Sequence, residues 1–219
     1  MSPLKPLKID IVSDVVCPWC AIGLASLETA LQRLDGQVQA ELHFQPFELN
    51  PQMPPGGEDV TEHLAKKYGS TPEQQAAARE SIRLRGEAVG FTFRKEGRGR
   101  IYNTFDAHRL LYWAGLQGDG AQRALKRALL EAYHGQGRSP ENHEVLLDAV
   151  VQAGLDREEA GRVLRDRQYT DQVREREQFY QEHGIHAVPA VIINDRHLIQ
   201  GGQPPEVFEQ ALRQLAAQD

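Results

Sequence analysis

An α/β fold is what the sequence predicts: a β-α-β unit at the start, an α-β-β-α unit at the end, and an all-helical subdomain inserted between them. Apolar residues alternate with a period of two near both ends of the chain and recur at i, i+3, i+4 and i+7 through its middle. The stretch Asp14-Val15-Val16-Cys17-Pro18-Trp19-Cys20, which holds both cysteines of the 219 residues, falls where the first strand gives way to the first helix.

The elements follow in order. Leu7, Ile9 and Ile11 alternate with polar residues and predict a strand over 7–14. Leu24, Leu27, Leu31 and Leu34 then keep helical spacing until Asp35-Gly36 stops them, and Val38, Ala40, Leu42 and Phe44 line one side of a second strand that ends before Pro51. From 51 to 168 the pattern predicts about five helices. Thr71-Pro72-Glu73-Gln74 reads as a cap, a first-turn proline and a capping-box partner, with Ser139-Pro140 and Asp156-x-x-Glu159 as further starts. A short run, Gly97-Arg98-Gly99-Arg100, is the one biased segment. A polar helix near 171–183 leads to strands at 190–193 and 197–200 joined by an Asn194-Asp195 turn, and Phe208, Ala211, Leu212 and Leu215 form a closing helix. The division expected is 1–50 with 169–219 as one discontinuous domain and 51–168 as the insertion.

Composition narrows the function. A chain of this length buries a core without covalent staples. Its 31 acidic and 25 basic residues give a net charge of −6 with no clustered basic stripe, so nucleic acid is not expected as a partner. The N-terminal stretch MSPLKPLKIDIVSD breaks its apolar residues with prolines and lysines and supplies neither a signal-peptide core nor a membrane span; no membrane partner and a cytoplasmic location are expected. In a reducing compartment, a Cys-x-x-Cys pair is more often catalytic or metal-binding than structural. Two cysteines placed at random fall three apart about once in 100 arrangements, so the spacing asks for an explanation.

At the start of a helix that spacing has chemical meaning. Residues three apart stand one turn from each other, with Cα atoms about 5–6 Å apart, which suits a disulfide. The free N–H groups and positive end of the helix dipole stabilise a thiolate on the first cysteine. Cys17 is therefore the expected nucleophile and Cys20, deeper in the first turn, the less exposed resolving thiol. Pro18 suits the first helical position, where its missing N–H leaves nothing unpaired. Trp19 has two readings, an apolar contact for substrate or an aromatic packed against the helical insert.

The chain resembles the DsbA-type oxidoreductases of the thioredoxin fold. The resemblance rests on the strand ending in DVVCPWC, the β-α-β start, the helical insert, and Val188-Pro189 ahead of a β-hairpin. More narrowly, CPWC with Gly23, PFELNP at 46–51, NTFDAHRL at 103–110 and GGQPPEVF at 201–208 are similar to the FrnE-like cytoplasmic branch. Some members carry a second cysteine pair towards the C-terminus, which this chain lacks. The resemblance implies thiol-disulfide oxidoreduction or isomerisation of disulfide- or dithiol-containing proteins, with glutathione as a further candidate partner and no cofactor. It also implies a cis Val188-Pro189 bond facing the cysteines, whose backbone pairs with extended substrate. Asn103 and His108 match the insert motif and become candidates for the substrate cleft; their plainer reading is a helix cap and a buried helical position. Glutathione-dependent isomerases resembling 2-hydroxychromene-2-carboxylate isomerase, and kappa-class transferases, share the fold and insert but present a serine where Cys17 stands.

Three further readings complete the set. His183 and His186 with the two cysteines fit zinc poorly, since the His-x-x-His spacing is short; His183 reads better as a helix-end residue beside Gly184, and His186 as a residue near the thiols. Asp10 and Asp14 read as solvated strand-end carboxylates, with a buried proton acceptor as the alternative. Because Trp19 occupies the position between the cysteines without an imidazole's charge, Trp19→His is expected to lower the Cys17 pKa. A titration of thiolate absorbance checks this, and an unchanged pKa refutes it.

Overall fold

The computed structural model describes residues 6–118 and 120–217. Its strands are β1 (Leu7–Ser13), β2 (Ala40–Pro46), β3 (Glu58–Asp59), β4 (Arg100–Ile101), β5 (Ala190–Ile193) and β6 (His197–Gln200). Its helices are α1 (Pro18–Arg33), α2 (Val60–Tyr68), α3 (Pro72–Ala88), α4 (Phe105–Ala114), α5 (Ala121–Leu130), α6 (His143–Gln152), α7 (Arg157–Arg165), α8 (Thr170–Glu182) and α9 (Pro205–Ala216). The predicted β-α-β and α-β-β-α units are both present, as parts of one sheet.

That sheet runs β2-β1-β5-β6. β1 pairs in parallel with β2 and antiparallel with β5, so it is central and covered on both faces. Burial on both faces explains why only Lys8 of β1 is exposed, and why the predicted alternation is incomplete. On one face Leu7, Ile9 and Ile11 pack with Leu24 and Leu27 of α1 and Phe208 and Leu212 of α9. On the other, Val12 and Ala190 pack with Phe47, Tyr180 of α8 and Ile185. The β5–β6 hairpin turns through Asn194 and Asp195 at φ of 52° and 56°, with Arg196 N–H donating to the Ile193 carbonyl at 3.2 Å. Both residues take the left-handed backbone of a primed turn, and because Ile193 pairs with His197 the connection is three residues long, 194–196.

Between residues 51 and 168 the described residues form six α-helices, α2 to α7, where about five were expected, together with the short β3–β4 pair. The capping box at Thr71 and Gln74 forms, and Asp156 caps α7 through Glu159 N–H. Ser139-Pro140 does not start a helix: Asn142, whose side chain accepts from Glu144 N–H, caps α6 instead. A cap three residues downstream of Ser139 wins because its oxygen reaches a first-turn N–H. Leu110, Leu125, Leu129, Leu146, Val150 and Val163 form the core of this region.

α5 closes one edge of the sheet. The Gln122 side chain accepts from Phe44 N–H at 2.8 Å and donates to the Phe44 and Leu111 carbonyls, both at 3.0 Å. Phe44 lies on the outer strand, so without Gln122 its outward N–H and carbonyl would be buried unpaired. Gln122→Ala is expected to cost about 1–3 kcal/mol of stability, measured by urea denaturation; a midpoint equal to that of the wild type would refute the assignment.

Candidate active site

β1 delivers the site. Its last residues lead through a turn in which Cys17 N–H donates to the Asp14 carbonyl at 3.3 Å, and Cys17 becomes the N-cap of α1 with extended backbone, followed by Pro18 at the first helical position. Cys20 N–H donates to the Cys17 carbonyl at 3.2 Å, which sets the two side chains on one turn. Both thiols are reduced and buried, Cys17 at 4% exposure and Cys20 at 2%, so the expected difference in exposure is small.

Their difference is electrostatic. The Cys17 thiol is held below the ordinary cysteine value, mainly by a hydrogen bond from Cys20 that outweighs the opposing effect of burial, with the Arg98 guanidinium helping and the Asp14 carboxylate opposing. Cys20 is pushed well up by burial and by the neighbouring Cys17 charge, with Lys126 opposing. One proton shared by two thiols thus rests on Cys20.

Val188 and Pro189 face this pair from the other end of the chain. Their peptide bond is cis, and the Cys17 thiol lies 3.7 Å from the Val188 carbonyl oxygen. Two glycines allow the approach. A Cβ on Gly23 would come within 3.1 Å of the Pro189 ring, and one on Gly202 would meet the Trp19 carbonyl at 3.0 Å. Trp19 is half-buried on the wall of a cleft of about 880 Å³, with the Arg85 guanidinium 5.3 Å from its ring centre. Cys17, Pro18, Trp19, Val188 and His186 all line that cleft.

Asn103 and His108 do not. Asn103 bonds Phe105 N–H at the start of α4 and donates to Glu48 at 3.2 Å, so it reaches the cleft only through that carboxylate. His108 is buried, 3.1 Å from the Phe47 carbonyl and 3.5 Å from Asp14. His183 ends α8 with its ring 2.7 Å from the Phe179 carbonyl.

The aspartates correct the expectation of solvated strand ends. Asp10 is buried, bonded to Gln45 at 2.6 Å and paired with Lys8 at 3.0 Å. Asp14 is buried too, and its carboxylate accepts from Leu49 N–H at 2.8 Å and Val16 N–H at 3.4 Å. Burial alone would raise its pKa, but His108, Leu49 N–H and Thr104 together hold it below the usual value.

Three residues near the thiols went unrecognised in the sequence. Arg98 donates to the Val16 carbonyl at 3.1 Å. His134, in the π-helical turn Glu131–Gly135 that extends α5, sits 2.9 Å from the Val15 carbonyl; burial pushes its pKa down to about 3, so the ring is neutral. Lys126 of α5 is 1% exposed with its Nζ unbonded, and burial lowers its pKa. Among these only Arg98 had a local signal, the Gly-Arg run.

Comparison with known proteins places this geometry. The DSBA-like thioredoxin domain matches residues 8–213. The chain belongs to that family. The crystal structure of a probable DsbA oxidoreductase from Streptomyces coelicolor superimposes with a TM-score of 0.87 at 34% identity, covering 97% of this chain and 91% of that one. An uncharacterized Bacillus subtilis protein, YwbO, is 27% identical over 94% of this chain and 96% of its own length. The structure of a 2-hydroxychromene-2-carboxylate isomerase shares the fold at 16% identity, with a TM-score of 0.70 over 96% of this chain and 97% of that one. The thioredoxin fold is therefore common to the DSBA-like chain and this isomerase. No helix among the described residues is long and apolar enough to cross a membrane.

In this DSBA-like chain, Cys17 is expected to alkylate with an apparent pKa below the ordinary cysteine value and Cys20 with one above it. Cys20→Ala is expected to move the Cys17 midpoint upwards by removing its largest stabilising contact. The pH dependence of iodoacetamide labelling, read by mass spectrometry, checks both; the same midpoint in wild type and variant would refute the contact.

Proposed function

We propose that the chain is a thiol-disulfide oxidoreductase of the cytoplasm, FrnE-like, in which Cys17 is the nucleophile and Cys20 the resolving thiol. The observation that carries the reading is the unequal pair: an acidified thiol at a helix start, beside a proton-holding partner one turn on and within 3.7 Å of the Val188 carbonyl. Cys17 thiolate attacks one sulfur of a substrate disulfide, forming a mixed disulfide and expelling the other half as thiolate. Cys20 then attacks the Cys17 sulfur. The Cys17–Cys20 disulfide forms, the second half leaves with the Cys20 proton, and two electrons have passed to the substrate. Oxidation of a dithiol is the same sequence reversed, and in isomerisation another thiolate of the substrate attacks the mixed disulfide at the substrate sulfur, forming a new substrate disulfide and releasing the Cys17 thiolate. The Val188 backbone supports extended substrate beside Cys17.

A glutathione-dependent isomerase would need neither a nucleophilic thiol at 17 nor a resolving one at 20. The test uses reduced protein with hydroxyethyl disulfide and with insulin. Wild type is expected to lose both thiols, Cys20→Ser to accumulate a mixed disulfide at Cys17, and Cys17→Ser to fall to the uncatalysed rate of insulin reduction by dithiothreitol. Equal rates for wild type and Cys17→Ser would overturn the proposal.

A further inference from the structure

The cleft over Cys17 has a charge opposite to that of the molecule. The chain carries −6, yet Lys67, Arg79, Arg83, Arg94, Lys95 and Arg98 line the cleft against two carboxylates, Glu48 and Glu80. Neither carboxylate is free, because Glu80 is paired with Arg83 at 2.7 Å and Glu48 with Arg174. Arg83 also holds Glu87, and Arg94 is paired with Glu96 at 2.9 Å. Lys67 donates to the Leu49 carbonyl and to Asn50 Oδ1, both neutral, so its charge is not balanced there. Arg98 spends one N–H on a neutral carbonyl, that of Val16, so its charge is not balanced there. Arg79 and Lys95 form no ion pair among the described residues. Four cations, Lys67, Arg79, Lys95 and Arg98, thus face the cleft without carboxylate counter-ions among the described residues, and Arg98 is bonded to the residue before Cys17.

Size and access set the second limit. The volume of about 880 Å³ lies in the range that encloses a small ligand, about 300–1,000 Å³. Cys17 is 4% exposed on the cleft floor, beneath walls that include α2 and α3. A disulfide small enough to enter the cleft meets the sulfur directly, and exchange requires that contact between the attacking thiolate and one substrate sulfur.

From these observations we infer that the preferred substrate is a small, flexible disulfide bearing carboxylates, which Lys67, Arg79, Lys95 and Arg98 draw in and hold beside Cys17. This rests on the oxidoreductase reading above and specifies its substrate class. The exchange is the two-step transfer already balanced, with the carboxylates taking no part in bond making. Unpaired cations in a low-dielectric cleft raise the local concentration of an anion and the rate at which it arrives.

The test follows single-turnover oxidation of the reduced protein by three disulfides of graded charge: dithiodipropionate with two negative charges, hydroxyethyl disulfide with none, and cystamine with two positive charges. Each rate is divided by that for dithiothreitol with the same disulfide, which removes intrinsic reactivity. The normalised rate for the dianion is expected to exceed that for the neutral compound by about tenfold or more, and that for cystamine by more again, with the preference shrinking as salt is added. Arg79→Glu with Lys95→Glu, both at exposed positions, is expected to invert the order towards cystamine. Normalised rates within about twofold of each other, or a double variant with the wild-type order, would overturn the inference and leave the oxidoreductase reading standing. Failure of every disulfide to oxidise the protein would overturn both.

Discussion

The Asp14 carboxylate is the junction on which the site depends. It takes the N–H groups of Val16 and Leu49 and faces His108, tying the end of β1 to the segment after β2 and to α4. Its own carbonyl accepts from Cys17 N–H. One residue therefore fixes where the first strand stops, where the helix begins and how the following loop returns. A buried carboxylate is tolerated here because donors from three segments converge on it. Its charge also bears on Cys17 from within, and the structure answers with cations on either side: Arg98 from the cleft and Lys126 from the core.

Lys126 shows the cost of that arrangement. Its Nζ is enclosed with no hydrogen-bond partner, and its charge is felt at Asp14, Cys17 and Cys20. Burying a cation without a bonded partner lowers stability, and groups of this kind concentrate at functional sites. The same compromise appears in His134, held neutral on the Val15 carbonyl with its other nitrogen unbonded.

Much of this was legible in the sequence, and the boundary is physical. The sheet ends, the primed turn at Asn194-Asp195 and the Thr71 cap were readable because each rests on a local rule of spacing or backbone preference. The cysteine pair was readable for the same reason, and Val188-Pro189 through family resemblance. Asp14 was misread because a strand-end aspartate looks solvated until the Leu49 N–H arrives from 35 residues away. Lys126 has an ordinary surface identity on an amphipathic helix, yet α5 packs against both β2 and α6, leaving no solvent for that side. Asn103 and His108 were expected in the substrate cleft from the motif alone, but their side chains turn to Glu48 and to the Phe47 carbonyl and do not line it.

The amide bridge at Gln122 bears on the history of the fold. An open sheet has two edges, and each is a template on which another chain can add a strand. Here β6 is only four residues long and carries polar His197 and Gln200 at its ends, which makes it a poor template. The longer β2 edge is instead capped by a side chain from the helical insertion. The inserted helices are thus not cargo on a self-sufficient core. Once they took over the task of hiding that edge, losing them would have exposed the chain to self-association, a penalty that favours keeping the insertion whatever substrate the cleft serves.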